Sequence, residues 1–187
     1  MTVAAAPRPR SRLRARIALA GLSTCGLAAL AWASSVQPDA RVIYNPSDSV
    51  VVGWYRVDPP GHRIGSLPVG SIVLTQLPDA VALFAAQRGY LPIGIPLLKR
   101  VGAVAPQEVC ITDGSVRIDD VPVAVALLAD RMGRSLRAWP GCRRLRSGEL
   151  FLLSTTNPGA FDSRYFGPVD ASAVLGVAHP LWLETSR

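Results

Sequence analysis

Five arginines, Arg8, Arg10, Arg12, Arg14 and Arg16, stand ahead of a stretch from Ile17 to Val36 that carries no charge. A basic segment followed by an apolar, alanine-rich one reads as an export signal or a membrane anchor. As a helix, residues 17–36 would be about 30 Å long, the thickness of a bilayer core. That length fits an anchor retained in the chain. Gly21, Ser23, Thr24 and Gly26 weaken the hydropathy, and Ala31-Trp32-Ala33 resembles a small-residue cleavage site, which fits a signal that is removed. Both readings stay open. Under either, the positive-inside rule leaves the arginines in the cytoplasm and carries the rest across the membrane. The 187 residues thus divide into a basic n-region (1–16), a membrane-spanning or signal segment (17–36) and a folded domain (40–187) of ordinary single-domain size. The buried helix of a soluble protein fits poorly, because such a helix rarely follows five arginines.

The formal charge is +7, but the arginine cluster supplies most of it; after Ile17, fifteen basic residues face thirteen acids. The folded part has no basic excess of the kind a nucleic-acid surface needs, so no nucleic-acid partner is expected. Cys25 falls in the apolar segment, leaving Cys110 and Cys142 as an even pair in an exported domain. A disulfide is the expected outcome there; two buried thiols are the other reading. Only two histidines exist, His62 and His179, and neither neighbours a cysteine, so no metal site is expected. There is no glycine-rich phosphate loop after a strand, and no cofactor is expected.

From Arg41 onward the pattern is mainly β. Val42–Tyr44, Val50–Val57 and Ser71–Gln76 read as strands broken by Pro59-Pro60-Gly61 and Pro68-Val69-Gly70. Pro78-Asp79 opens a short helix over Ala80–Arg88, closed by Gly89. Leu97–Val104 is an apolar strand. Glu108–Thr112, Ser115–Ile118 and Val121–Ala126 form a meander with turns at Asp113-Gly114 and Asp119-Asp120. Leu150–Ser154 and Val174–Val177 are further strands, and Pro140-Gly141 and Asn157-Pro158-Gly159 mark loops.

Lys99 is the only lysine, among nineteen arginines. In a chain that writes arginine for nearly every positive charge, a lone lysine marks a place where arginine fails, and arginine cannot give up its proton. Lys99 lies inside the apolar run Pro96-Leu97-Leu98-Lys99-Arg100-Val101. Burial disfavours its charged form, and a neutral lysine is a general base or a nucleophile. A chance survivor on a strand edge is the competing account. The histidines sit near no serine motif, so a Ser-His-Asp arrangement has little support.

Three segments accompany the lysine: Asn45-Pro46-Ser47-Asp48-Ser49-Val50-Val51-Val52-Gly53-Trp54-Tyr55, then Leu97-Leu98-Lys99-Arg100-Val101, then Gly148–Ser154 leading to Phe161-Asp162-Ser163-Arg164-Tyr165-Phe166-Gly167-Pro168-Val169. In order and spacing they resemble the signal peptidase I superfamily, specifically the TraF-type peptidases of conjugative transfer, over about residues 40–180. The resemblance implies a mainly β, signal-peptidase-like domain after one N-terminal helix. It implies a serine endopeptidase with Ser49 as nucleophile and Lys99 as general base. Ser49 would stand at the head of a strand with the Ser47 hydroxyl on the same side. The Ser47 side chain and the Ser49 N–H would form the oxyanion hole. Asp162, Ser163 and Arg164 would support the site, with Arg164 neutralising Asp162. The contexts of Cys110 and Cys142 also look like this family.

Three places depart from the family pattern: Val51 replaces a proline, Ala105-Pro106-Gln107 replaces Pro-Gly-Asp, and Ala160 replaces a serine that bonds the lysine amine. The implied partners are a precursor polypeptide, pilin-like or secreted, the bacterial inner membrane and the transfer machinery, with the domain on the periplasmic side. A general signal peptidase and a catalytically inactive assembly module are the alternatives.

Overall fold

A computed structural model of the chain describes residues 9–35, 40–61 and 67–184. They divide into an N-terminal helix and a β-rich domain. Helix α1 (Pro9–Ser35) starts at a proline, which suits a first helical position. It therefore takes in Arg10 to Arg16 as well as the apolar stretch. Leu13, Leu19, Leu22, Leu27 and Leu30 are all exposed along it. Arg12–Trp32 is long and apolar enough to cross a membrane. Val36, the expected end of the segment, lies outside the described residues, as does His62.

The domain is built on two antiparallel sheets. The larger has seven strands in the order β1 (Arg41–Asn45), β2 (Gly53–Asp58), β11 (Val174–Leu183), β3 (Ile72–Thr75), β4 (Leu97–Val104), β9 (Glu149–Leu153) and β10 (Val169–Asp170). The smaller has four, β7 (Val121–Val125), β6 (Ser115–Ile118), β5 (Glu108–Thr112) and β8 (Gly141–Arg144). Helix α2 (Asp79–Gln87) follows β3, and Gly89, at φ 70°, ends it in a left-handed conformation that glycine adopts without strain. A single helical turn, α3 (Ser163–Phe166), follows β9.

Burial explains why the central strands read as unbroken apolar runs. In β9, Leu150 and Leu152 join one core cluster with Val73, Val101 and Val169, while Phe151 and Leu153 join another with Val109, Val116 and Leu145. Both faces of β9 are covered, so period-2 alternation disappears. In β4, a register shift between Val101 and Ala103 turns Ala103 to the second cluster and Val104 to the first. At Gly102 a side chain would meet Leu153 Cδ1 at 2.8 Å, so the shift is built on a glycine.

Three sequence expectations are corrected. Val50–Val52 is not strand: β2 begins at Gly53, so Ser49 lies in a turn and not at a strand head. Gly53 has φ 147° and a side chain there would sit 2.3 Å from the Trp182 carbonyl oxygen, which is why the turn can only end on glycine. Pro140-Gly141 is not wholly loop, since Gly141 opens β8. The strand expected at Val174–Val177 runs on to Leu183 and carries a bulge between Pro180 and Trp182; Gly176 and Pro180 hid its length. The chain between 154 and 170 also contains α3 and β10, too short to leave a periodic signal.

Cys110 and Cys142 face each other across β5 and β8 and form a disulfide. It staples β8, a four-residue edge strand, across a separation of 32 residues. Closing a loop of that size stabilises by about 3–4 kcal/mol in the chain-entropy picture. Mass mapping of the unreduced, exported protein should find this crosslink, and Cys142→Ser should lower unfolding free energy by that order; two alkylatable thiols at these positions would refute it.

Candidate active site

Ser49 is placed by Asn45, the last residue of β1. The Asn45 amide donates to the carbonyls of Ser47 (2.7 Å), Val50 (3.3 Å) and Val51 (3.3 Å) and accepts from the Ser47 hydroxyl (2.9 Å). One buried side chain thus winds residues 46–51 into a compact turn. Val50 is buried in the core with Tyr55 and Leu98, and Tyr55 OH donates to the Val51 carbonyl at 2.5 Å. Asn45 was not singled out by the sequence reading. Its Asn-Pro dipeptide is a turn-initiation signal that could have found it.

The Ser47 and Ser49 hydroxyl oxygens lie 3.0 Å apart, brought together by this turn and not by the period of a strand. Ser47 donates to Asn45 Oδ1, so towards Ser49 it can only accept. The Ser49 hydroxyl then donates to Ser47 or to the Leu98 carbonyl oxygen at 3.3 Å. Leu98 is the chain neighbour of Lys99, so the serine reaches the lysine's strand. Among the described residues the Ser49 N–H makes no backbone hydrogen bond, which leaves it free to donate to a ligand.

Lys99 is 2% exposed in the middle of β4, paired with Val73 of β3. Val73 and Val101 share its face of the strand and are fully buried. Among the described residues its ammonium makes no hydrogen bond or ion pair. Neither serine near it bonds it: Ser154 Oγ accepts from Asn157 N (3.0 Å) and Ser163 Oγ accepts from Leu152 N (2.9 Å). Packing alone holds the lysine. Burial lowers its pKa from 10.5 to about 8; Asp162 and Asp48 pull it upward and Arg164 pushes it down. Desolvation wins.

Asp162 and Arg164 are both buried and pair through two bonds, Nε to Oδ1 at 2.7 Å and an Nη2 contact to Oδ2 at 2.8 Å. The Asp162 carboxylate also accepts from the backbone N–H groups of Ser154 (2.9 Å) and Arg164 (3.1 Å). The pair frames the loop between β9 and α3 and does not bond Lys99.

Ser47, Ser49, Lys99 and Ala160 line one cleft of about 360 Å³ together with Asp130, Arg131 and Met132. Asp130, also missed in the sequence, folds the loop that supplies these last residues. Burial pushes its carboxyl up, but hydrogen bonds from Tyr90 OH, from Arg134 N and Nε, and from Met132 N outweigh burial and hold it well below the usual carboxylate range. Glu108, Cys110 and Cys142 lie close enough to share a metal ion, but the two sulfurs are spent on each other. His179 faces Asp58 at 3.4 Å on the outside of the sheet.

A buried amine with a lowered pKa and a serine hydroxyl on one cleft is the equipment of a lysine-assisted serine nucleophile. Residues 14–183 match the family model described as signal peptidase, peptidase S26. The chain belongs to that peptidase family. Among its relatives, the plasmid transfer protein TraF of Escherichia coli is 34% identical over 185 residues, 91% of this chain and 98% of that protein. The conjugal transfer protein TraF of Agrobacterium fabrum is 36% identical over 152 residues, 76% of this chain and 81% of that protein. A crystal structure of a signal peptidase I from Enterococcus faecalis superposes with a TM-score of 0.37 at 21% identity, covering 60% of this chain and 96% of that one.

The lysine's position carries a stability cost with a definite sign. Below about pH 8 it is charged both folded and unfolded, and the whole burial penalty is present. Between about 8 and 10.5 the unfolded chain binds a proton that the folded one does not, so stability rises with pH. Lys99→Met should therefore stabilise the protein at pH 7, by on the order of 3 kcal/mol. The advantage should shrink as pH rises to 10. Denaturant midpoints of the two proteins across that range check this, and a difference that does not change with pH would contradict it.

Proposed function

We propose that this protein is a membrane-associated serine endopeptidase that cleaves an exported precursor through Ser49 and Lys99. The observation that carries the reading is the lone lysine itself: buried, unpaired among the described residues, lowered to about 8, and lining one cleft with Ser49. Neutral Lys99 takes the Ser49 proton as the hydroxyl attacks the scissile carbonyl. The amine returns that proton to the leaving amino group, and the acyl-enzyme is then hydrolysed by water activated by the same lysine. The Ser49 N–H and the Ser47 hydroxyl stabilise the oxyanion once Ser47 turns from Asn45; one such donor is typically worth about 2.7–4 kcal/mol. Membership in the family and relatives named for plasmid and conjugal transfer support a pilin-like or transfer-apparatus precursor as substrate. A general signal peptidase is the alternative substrate class. The inactive assembly module keeps one observation in its favour, that Ala160 gives Lys99 no hydroxyl to hold it.

Lys99→Arg separates base from mere cation. Arginine keeps the charge but cannot deprotonate. Precursor cleavage by the folded variant should fall by orders of magnitude, as with Ser49→Ala. The wild-type rate should climb with pH and level off above about 8. A Lys99→Arg protein that cleaves normally would put the assembly-module reading in front.

The positive-inside rule, applied to the arginines ahead of Ile17, supports a cytoplasmic N-terminal end and a periplasmic Ser49 domain at the inner membrane. A reporter active only in the periplasm, fused after Arg187, should be active. A stable but silent fusion would overturn this topology.

A further inference from the structure

Lys99 sits on β4, a strand flanked on both sides, by β3 and β9. Ser49 sits on a turn, and its distance from the lysine depends on what ties that turn down. The Glu184 N–H bonds Val52 O and Tyr55 OH bonds Val51 O, but both act on the serine's own side of the sheet. The Ser49 hydroxyl's bond to Leu98 O uses the reacting group and is surrendered when the serine attacks. The remaining polar ties converge on Asp48, between the two serines. Asn157 Nδ2 donates to Asp48 Oδ1 at 2.7 Å, and Thr156 Oγ1 donates to the Asp48 carbonyl oxygen. Arg131 approaches the same carboxylate at 3.5 Å with both groups exposed, a contact worth little.

The loop that supplies Thr156 and Asn157 is itself fixed. Arg164 holds the carbonyls of Pro158 (2.7 Å) and Ala160 (2.9 Å), and Asn157 N donates to Ser154 Oγ. Asn157 Oδ1 accepts from Gly159 N at 2.7 Å. The asparagine amide is thus used at both ends, its oxygen closing its own loop and its nitrogen gripping the serine turn. Aspartate could do the first but not the second.

We propose that Asn157 is a positioning residue that, with Thr156, holds the Ser47–Ser49 turn at the separation from Lys99 that proton transfer requires. This rests on the Ser49/Lys99 reading above.

The isosteric Asn157→Asp keeps the bond to Gly159 and sets a carboxylate against Asp48. Cleavage of a precursor peptide should lose on the order of 10²-fold in kcat, with KM changed less than about twofold and the thermal midpoint retained. Exchanging the partners, Asp48→Asn with Asn157→Asp, rebuilds the bond with donor and acceptor reversed and should recover most of kcat. Thr156→Val, which removes the other grip, should lower kcat in the same direction and serves if Asn157→Asp does not fold. Ser49→Ala run alongside isolates the underlying reading: residual cleavage there means the dyad is wrong. With Ser49→Ala inactive, an Asn157→Asp protein at wild-type rate, or a double exchange that recovers nothing, overturns the positioning role.

Discussion

Arg164 spends all five of its N–H donors inside the protein. Two go to the Asp162 carboxylate, and three go to the carbonyls of Val125, Pro158 and Ala160. One side chain therefore ties the end of β7, the loop after β9 and the start of α3 into a single knot. Its backbone takes part too, the Arg164 carbonyl accepting from Trp139 N at 2.8 Å. A buried ion pair is seldom a net gain in stability, because the cost of stripping water from two charges offsets their attraction. Its value here is specification. Each satisfied donor fixes one segment in one place, and loss of either charge strands the other, at about 3–5 kcal/mol. Lysine, with three donors and no planar fork, could not make the same five contacts.

That knot also sets the electrical setting of the cleft. Burial among Val73 and Val101 lowers the Lys99 pKa most; Asp162 raises it, and Arg164, next to Asp162, opposes that pull. The lysine's poise is a balance of four contributions, from burial, Asp162, Arg164 and Asp48, and two of them come from a pair that never touches it. The paired charges and the apolar strand form one device, even though they lie more than sixty residues apart in the chain.

Much of this was legible in the residues. Central strands announced themselves by apolar runs, α2 by its proline–aspartate start and glycine stop, and the meander by its Asp-Gly turn. The lone lysine pointed to the cleft because composition made it conspicuous. What escaped is what depends on single contacts. Asn45 winds the serine turn through five hydrogen bonds, yet an asparagine before a proline looks like any other turn. Asp130 shapes its part of the cleft lining through bonds to its own loop and to Tyr90, forty residues earlier. The serine turn read as strand because Val50, Val51 and Val52 are β-branched; the Asn45 amide and Gly53 overrule that local preference. β8 escaped because a Pro-Gly opening masks four residues whose partner, β5, lies far upstream.

The strand order of the large sheet has a consequence for how such a protein comes into being. β2, which continues from the serine turn, pairs with β1 and β11; in the strand order, β3 and β4, the latter carrying the lysine, join that half of the hydrogen-bonded ladder through β11. β11 is the final strand of the described chain. A polypeptide made from its N-terminus holds both Ser49 and Lys99 long before residues 174–183 arrive to join their halves. Completion of the sheet thus waits on β11, so a chain in which residues 174–183 have not yet docked carries the parts of the site without the strand that unites them.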